Sequence, residues 1–252
     1  YRAYVGGTSG LIYGYVNDGF YTVADFESFD SKSRTWKLKE GVVDSSPLSD
    51  TPRPGNAKFK KLTPVDPNST NPYQLTEADR TVIGNTTPKF SGGFGLNATY
   101  KGFDMSMFFN FMYDFDVLNA NKIMLTTWAD NKENNFLMNI ASDKRWRNFD
   151  DMGNEIRYSP EVLAEFNKNA TMWNPTSIGR PICMSYAVED GSFLRLNSAT
   201  LGYTLPSVWT KKVGLSKVRF YVSGNNLFTL TGYSGYDPEV NIATGLTPNI
   251  DY

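Results

Sequence analysis

Residues 90–113, FSGGFGLNATYKGFDMSMFFNFMY, decide how the chain is read. Alternate residues of the first half are Phe90, Gly92, Phe94, Leu96, Ala98 and Tyr100, set against Ser91, Gly93, Gly95, Asn97 and Thr99. After Lys101-Gly102 the pattern resumes, with Phe103, Met105, Met107, Phe109, Phe111 and Tyr113 opposed to Asp104, Ser106, Phe108, Asn110 and Met112. Strand side chains alternate between faces, so each segment has one apolar face and one of glycine and mainly small polar residues. The spacing predicts a hairpin of strands at about 89–101 and 103–114.

Period 2 fits a soluble β-sandwich as well as a membrane strand. Two features favour lipid. The apolar faces run on for about the ~9–11 residues that cross a bilayer on a tilted strand, whereas soluble strands average ~5–6. Aromatic residues also close both ends, Phe90 and Tyr113 at one and Tyr100 and Phe103 at the other, as in the girdles of membrane barrels. Phe90, Phe94, Tyr100, Phe103, Phe109, Phe111 and Tyr113 are therefore assigned to lipid and its interfaces, together with Phe220 from a later strand. Asn97, Thr99, Asp104, Ser106 and Asn110 are assigned to a wet lumen. Phe108 and Met112 do not suit that lumen and read as contacts to a plug or ligand.

Composition removes several classes of function. The chain has 252 residues, with 25 basic and 26 acidic side chains and no basic block, so no nucleic-acid partner is expected. Histidine is absent and Cys183 is the single cysteine, which excludes an internal disulfide, a Cys-rich zinc site and a Cys–His nucleophile. No run approaches the ~20 apolar residues of a transmembrane helix. The chain opens at YRAYVGG with neither an initiator Met nor a leader, and reads as a fragment of something longer.

Along the chain, residues 1–23 read as a glycine-punctuated strand, and 24–88, rich in proline and polar residues, as a long loop. Residues 115–190 lose the alternation. Within them SPEVLAEFNKN predicts a helix, with Ser159 as N-cap, Pro160 in the first turn, and Val162 and Phe166 on one face. NANKIMLTTWADNKENNFLMNIASDKRW (119–146) is expected to be helical in part. SFLRLNSATLGYTL (192–205) and KVRFYVSGNNLFTLT (217–231) are two further strands. In the former, Arg195 and Asn197 share a face with Leu201 and Tyr203, so either a bulge flips the register or that end stands clear of the membrane. Short connections, 101–102 and 206–216, alternate with the very long ones, the outer-membrane barrel arrangement.

Three blocks resemble one family. These are GLIYGYVNDGFYTV (10–23), TEADRTVIGNTTPKFSGGFGLNATYKGFDMSMFFNFMYDFDVLN (76–119) and EDGSFLRLNSATLGYTLPSVWTKKVGLSKVRFYVSGNNLFTLTGYSGYDPEVN (189–241). They are similar to the C-terminal part of SusC-like TonB-dependent transporters, with DKRW at 143–146 also fitting. The resemblance implies an all-β fold, residues 1–252 being part of the wall of a 22-stranded antiparallel transmembrane barrel with long extracellular loops carrying short helices. The plug, the TonB-contacting segment and the closing strand would lie outside this chain. It implies import of oligosaccharides or peptides across the outer membrane of a Gram-negative bacterium. The partners would be a SusD-like surface lipoprotein as lid, the rest of the transporter, outer-membrane lipid and the TonB complex. No catalysis is expected.

Many relatives place a D-x-N-G-D-G-like loop before the DR pair. Here Asp66 and Asn68 stand without the glycine of the sharp turn, so the stretch reads as a solvated polar loop with Asp79 and Arg80 near the strand mouth. No cofactor is expected, calcium in this loop being the minor alternative. Trp36, Trp128, Trp146 and Trp173 fall in the long loops, where tryptophan packs loops or stacks on sugar rings. Trp146 is assigned to packing, Trp128 and Trp173 to ligand or lid, and Trp209 to an interfacial anchor in a short turn. Adjacent acids, Asp150–Asp151 and Glu189–Asp190, do not face each other across a bond as glycoside hydrolysis requires. The alternative reading is a soluble β-sandwich that binds or cleaves carbohydrate.

Overall fold

A computed structural model describes residues 9–49, 51–127, 140, 143–179 and 181–239. In chain order the strands and helices are β1 (Leu11–Gly14), β2 (Asn17–Phe20), β3 (Phe26–Asp30), β4 (Thr35–Leu38), β5 (Ala57–Phe59), β6 (Thr81–Asn85), β7 (Phe90–Tyr100) and β8 (Phe103–Tyr113). There follow β9 (Asp116–Leu118), α1 (Ala120–Met124), α2 (Pro160–Phe166), β10 (Val188–Asp190), β11 (Phe193–Thr204), α3 (Ser207–Thr210) and β12 (Arg219–Thr231). They fall into two compact units. A loop unit comprises Tyr1–Gly84 with Leu118–Val188, and a sheet unit Asn85–Val117 with Glu189–Tyr252.

The sheet unit is built on a four-stranded antiparallel meander in the order β12-β11-β8-β7. Its strands carry 11 to 13 residues. Eleven residues give about 36 Å of strand, which at a tilt of about 45° spans roughly 25 Å, the height of a barrel's apolar band. Lys101 and Gly102 both take positive φ, 46° and 90°, the two-residue turn whose twist matches a hairpin. Glycine is required at 102, since a Cβ there would stand 2.8 Å from the Thr204 carbonyl oxygen. Both short connections, 101–102 and 205–218, leave one end of the meander, and residues 114–192 leave the other.

Register lines up the apolar residues across all the strands. Tyr100, Phe103, Tyr203 and Phe220 form one row, with the Phe103 and Tyr203 rings 4.5 Å apart. Successive rows are Ala98–Met105–Leu201–Val222, Leu96–Met107–Ala199–Gly224, Phe94–Phe109–Leu196–Phe228 and Gly92–Phe111–Leu194–Leu230. Phe90 and Tyr113 close the far end. The unpaired residue Asn197 breaks the register between Leu196 and Ser198 on β11. One extra residue turns the strand over. Leu194 and Leu196 thereby join the apolar face, and Arg195 goes to the other. Of the two readings left open for that strand, the bulge is the one observed.

The loop unit folds around its own core, contrary to the reading of 24–88 as plain loop. Leu48, Ala57, Phe59 and Leu75 from that segment are buried with Tyr15, Ile140, Met172, Trp173, Ile178, Ile182 and Met184. The segment also carries the β3–β4 hairpin, and β5 pairs with β2. Proline-rich chain packs here because its polar groups find partners: the Tyr21 hydroxyl donates to the Val43 carbonyl at 2.5 Å and accepts from the Ser45 N–H at 3.1 Å. A second cluster joins Trp146, Ile156 and Leu163. α2 occupies the expected position with Ser159 at its N-cap, yet its buried residue is Leu163, while Val162 is exposed. Of the expected 119–146 helix only α1, five residues long, lies among the described residues.

Candidate functional site

The two faces of the meander carry different chemistry, and the register sorts the residues named from sequence accordingly. Phe90, Phe94, Tyr100, Phe103, Phe109, Phe111, Tyr113 and Phe220 all lie on one face. Nothing among the described residues covers it: Phe90, Tyr100, Phe220 and Leu230 are each 60% or more exposed. From strand spacing and rise the face measures on the order of 700 Å², beyond the ~300–600 Å² of the largest patch on a typical soluble monomer. Trp209, 60% exposed in α3, stands with exposed Val208, Val213 and Leu215 in the connection at the Tyr100 end.

The opposite face holds Asn97, Thr99, Asp104, Ser106 and Asn110, paired through Asn97–Ser106 and Thr99–Asp104. Glycine gives this face its texture. A Cβ on Gly93 would meet the Phe108 ring at 2.8 Å, so Phe108 lies against the β7 glycines, 45% exposed. Across Gly202 the Arg219 guanidinium grips both oxygens of Asp104, its Nε 3.0 Å from Oδ1. Any side chain at 202 would collide with that pair, its Cβ 2.5 Å from Arg219 and 2.7 Å from Asp104.

At the far end of the same face Arg195, only 8% exposed, holds the segment after β12. Its Nη2 donates to both oxygens of Asp237 at 2.7 and 2.8 Å, and its Nη1 stands 2.7 Å from Glu239. Glu189 completes the tie by accepting from the backbone and hydroxyl of Ser234. The EDGSFLRL and YDPE stretches are thus two halves of one ion-pair cluster. Gly191 between them is required because a Cβ there would sit 2.5 Å from Phe115 and 2.6 Å from Val117. Met112 packs beside it, against the cluster of Phe115, Val117, Phe193 and Tyr233.

In the loop unit the DR pair corrects the sequence reading. Asp79 is not solvated but fully buried. Its Oδ1 accepts from the Leu62 N–H at 2.9 Å and from both the N–H and hydroxyl of Thr63 at 2.7 Å. Its Oδ2 accepts from the Thr76 N–H at 2.8 Å and hydroxyl at 3.0 Å, with Lys61 Nζ 3.5 Å away. Burial opposes the charge, but the donors, those of Thr63 foremost, outweigh it and hold the carboxyl well below the usual carboxylate range. TVAD at 22–25 repeats the device: the Asp25 carboxylate accepts from the Thr22 N–H at 2.7 Å and from Lys58 at 3.1 Å. Arg80 lies over the Tyr15 ring, 5.2 Å from its centroid.

Trp173 is also corrected. It is 2% exposed, its indole N–H donates to the Thr126 carbonyl at 3.2 Å, and its ring meets Tyr186 edge-on at 4.7 Å. No face is left for a sugar; the lack of neighbouring periodicity hid its place in the core. Trp128 lies outside the described residues. Trp146 packs as expected, 3% exposed and so close to Gly55 that a Cβ there would lie 2.2 Å from the indole. Burial pushes the Cys183 thiol above its usual value, which makes it a poor nucleophile. Asp66 accepts the Asn68 N–H at 2.9 Å in a local turn, and among the described residues no group of three or more metal-ligating side chains comes together.

No protein-family model matches the chain. It is 34% identical over 232 residues to TonB-dependent receptor P3 of Formosa agariphila, a match covering 92% of this chain and 19% of the relative. TonB-dependent receptor P39 of the same organism is 28% identical over 181 residues, 69% of this chain and 15% of that protein. In fold alone, the chain is similar to a chain in a structure of the RagAB peptide transporter, with a TM-score of 0.51 at 20% identity over 90% of this chain and 20% of that one. Sequence and sheet together define a stretch of a TonB-dependent receptor. The chain belongs to the TonB-dependent receptor family, and spans less than a fifth of the length of the curated relatives it matches.

Proposed function

We propose that these residues form part of the wall and outer loops of a plugged 22-stranded barrel in the outer membrane of a Gram-negative bacterium. The barrel imports oligosaccharides or peptides under a SusD-like lipoprotein lid, driven through TonB, and performs no chemistry on its cargo. One observation carries the reading: a meander of 11- to 13-residue strands whose aligned apolar face, ended by a row of four aromatic rings, stays uncovered while its other face is mainly glycine and polar residues. In water such a face would be a liability. In lipid it is the buried surface, and the unpaired edges of β7 and β12 call for neighbouring strands of the same wall. By this reading the short connections face the periplasm and the loop unit the exterior.

The test is to extract the native polypeptide from membranes in detergent, weigh it intact and identify what copurifies. A polypeptide several times longer than this chain, accompanied by a surface lipoprotein, with uptake abolished when TonB is deleted, is the expected result. A water-soluble folded species of this length would return the apolar face to an ordinary protein core and overturn the reading.

A further inference from the structure

The loop unit holds two adjoining cavities lined by arginine. One, of about 400 Å³, is walled by Arg145, Arg147 and Arg157 with Phe149, Asn148 and Asn174. The other, of about 250 Å³, is walled by Arg34, Arg53 and Arg157 with Trp36, Tyr158 and Asn56. Asn148, Arg157 and Thr176 line both, which makes them two lobes of one groove. A single carboxylate, Asp150, stands among the lining residues. It is committed to its own turn, accepting the N–H of Met152 at 2.9 Å and of Asn154 at 2.8 Å, and the Asn154 side chain at 2.8 Å. Two of these arginines pair with acids outside the lining: Arg147 with Asp151, 2.9 Å away and 79% exposed, and Arg157 with Glu155, 2.5 Å away. The groove therefore keeps a positive excess.

Three of the guanidiniums lie over aromatic rings, Arg147 standing 4.5 Å from the Phe166 centroid. Arg34 stands 4.7 Å from the Tyr158 centroid, and Arg157 lies 5.5 Å from Phe149 and 5.7 Å from Tyr158. Stacking fixes a guanidinium plane while leaving its edge N–H groups to grip a carboxylate or sulfate in two-pronged fashion. Glu155 takes the Arg157 Nε, and among the described residues no side chain pairs with its two Nη groups, so the residue shared by the lobes retains donors at the guanidinium's outer edge.

Five arginines supply the walls with donors, and the one carboxylate among the lining side chains is already engaged. A peptide backbone brings a carbonyl that such donors could serve, but also an N–H at nearly every residue, which needs an acceptor in turn. A sugar hydroxyl rotates to accept from arginine or asparagine as readily as it donates. We propose that this groove binds a polyanionic oligosaccharide, bearing carboxylate or sulfate groups, with Arg34 and Arg157 as its main anion contacts. The proposal rests on the reading of the loop unit as the ligand-facing side of an importer, whose cargo it narrows to acidic glycan.

The experiment uses the whole receptor, purified in detergent, on an array of sulfated and uronic oligosaccharides of several backbones beside their neutral counterparts and acidic peptides. The strongest binder is then titrated against Arg34→Gln and Arg157→Gln. Acidic glycans are expected to be retained and each neutral counterpart to bind at least about tenfold more weakly. Each glutamine variant should lose about tenfold, the scale of one charge-assisted contact, and added salt should weaken binding. Arg34 sits on an exposed hairpin turn, so its variant keeps the fold and tests the site alone. Equal retention of neutral and acidic glycans, indifference to both substitutions, or acidic peptides retained in place of glycans overturns the proposal. Uptake by cells lacking TonB separates the two ideas: arginine-dependent binding with unimpaired uptake defeats the importer and spares the groove. TonB-dependent uptake with arginine-independent binding does the reverse.

Discussion

The loop unit and the sheet unit solve the same problem in opposite ways. Trp173, Tyr21, Phe59, Leu75 and Met184 vanish into the loop unit's own interior. In the sheet unit every residue of β7 is exposed, although that strand is among the most regular in the chain. Regularity and self-sufficiency have come apart. The irregular region carries its own stabilisation, whereas the regular one leaves an apolar face and the outer edges of β7 and β12 uncovered among the described residues.

Substitutions sharpen that contrast. The largest effect is expected from Trp173→Ala, which empties the loop unit's core at a cost of about 3–5 kcal/mol. Hydrogen exchange on the detergent-purified receptor should show it as loss of protection across residues 43–59 and 172–187, with β7 and β8 unmoved. Protection lost equally everywhere would mean the two regions unfold as one.

Leu96→Arg is the complementary probe. On a wet surface it would change stability by no more than ~0.5 kcal/mol, whereas on a lipid face near mid-membrane it costs about 2–4 kcal/mol. Asn97→Arg, one residue on and facing the other way, should be close to neutral. Urea titration of the receptor in bilayers reads both, and equal costs at 96 and 97 would remove the case for two unlike faces.

Asp79 makes a pH prediction for the loop unit alone. Its folded value is depressed below that of the unfolded chain, so its contribution is complete above the ordinary carboxylate range. It fades as pH falls through that range toward the depressed folded value. Protection of residues 62–63 and 76–79 should therefore weaken in acid, and Asp79→Asn should abolish that acid dependence at a cost of about 2–3 kcal/mol. The smallest expected change is Thr22→Ala, which removes a hydroxyl from the sister turn and costs about 1 kcal/mol at most, confined to residues 22–26.

What could be read from the sequence follows the same divide. β7 and β8 announce themselves because strand geometry imposes a period of two, and their apolar faces keep it over all 11 residues. The glycine turn at 101–102 and the faces of Asn97 and Phe109 follow from that rule alone. The groups that make the loop unit cohere are distant in the chain and aperiodic: the donors on Asp79 come from Leu62 and Thr63 as well as from Thr76. Trp173 was misread for this reason, since nothing near it in the chain signals the Thr126 carbonyl that holds its indole. Arg195 shows an intermediate case. Its misfit with Leu201 and Tyr203 was visible, but which residue absorbs the mismatch, Asn197, depends on β8 and β12 together.

That bulge makes the wall more sensitive to miscounting than to misspelling. Most single replacements on β11 would alter one side chain. The loss of Asn197 would instead exchange the destinations of every residue before it in the strand, sending Arg195 to the apolar face and Leu194 and Leu196 to the other, and would tear Asp237 and Glu239 from their anchor. A lineage carrying this strand is free to vary many of its letters, but it must conserve their number.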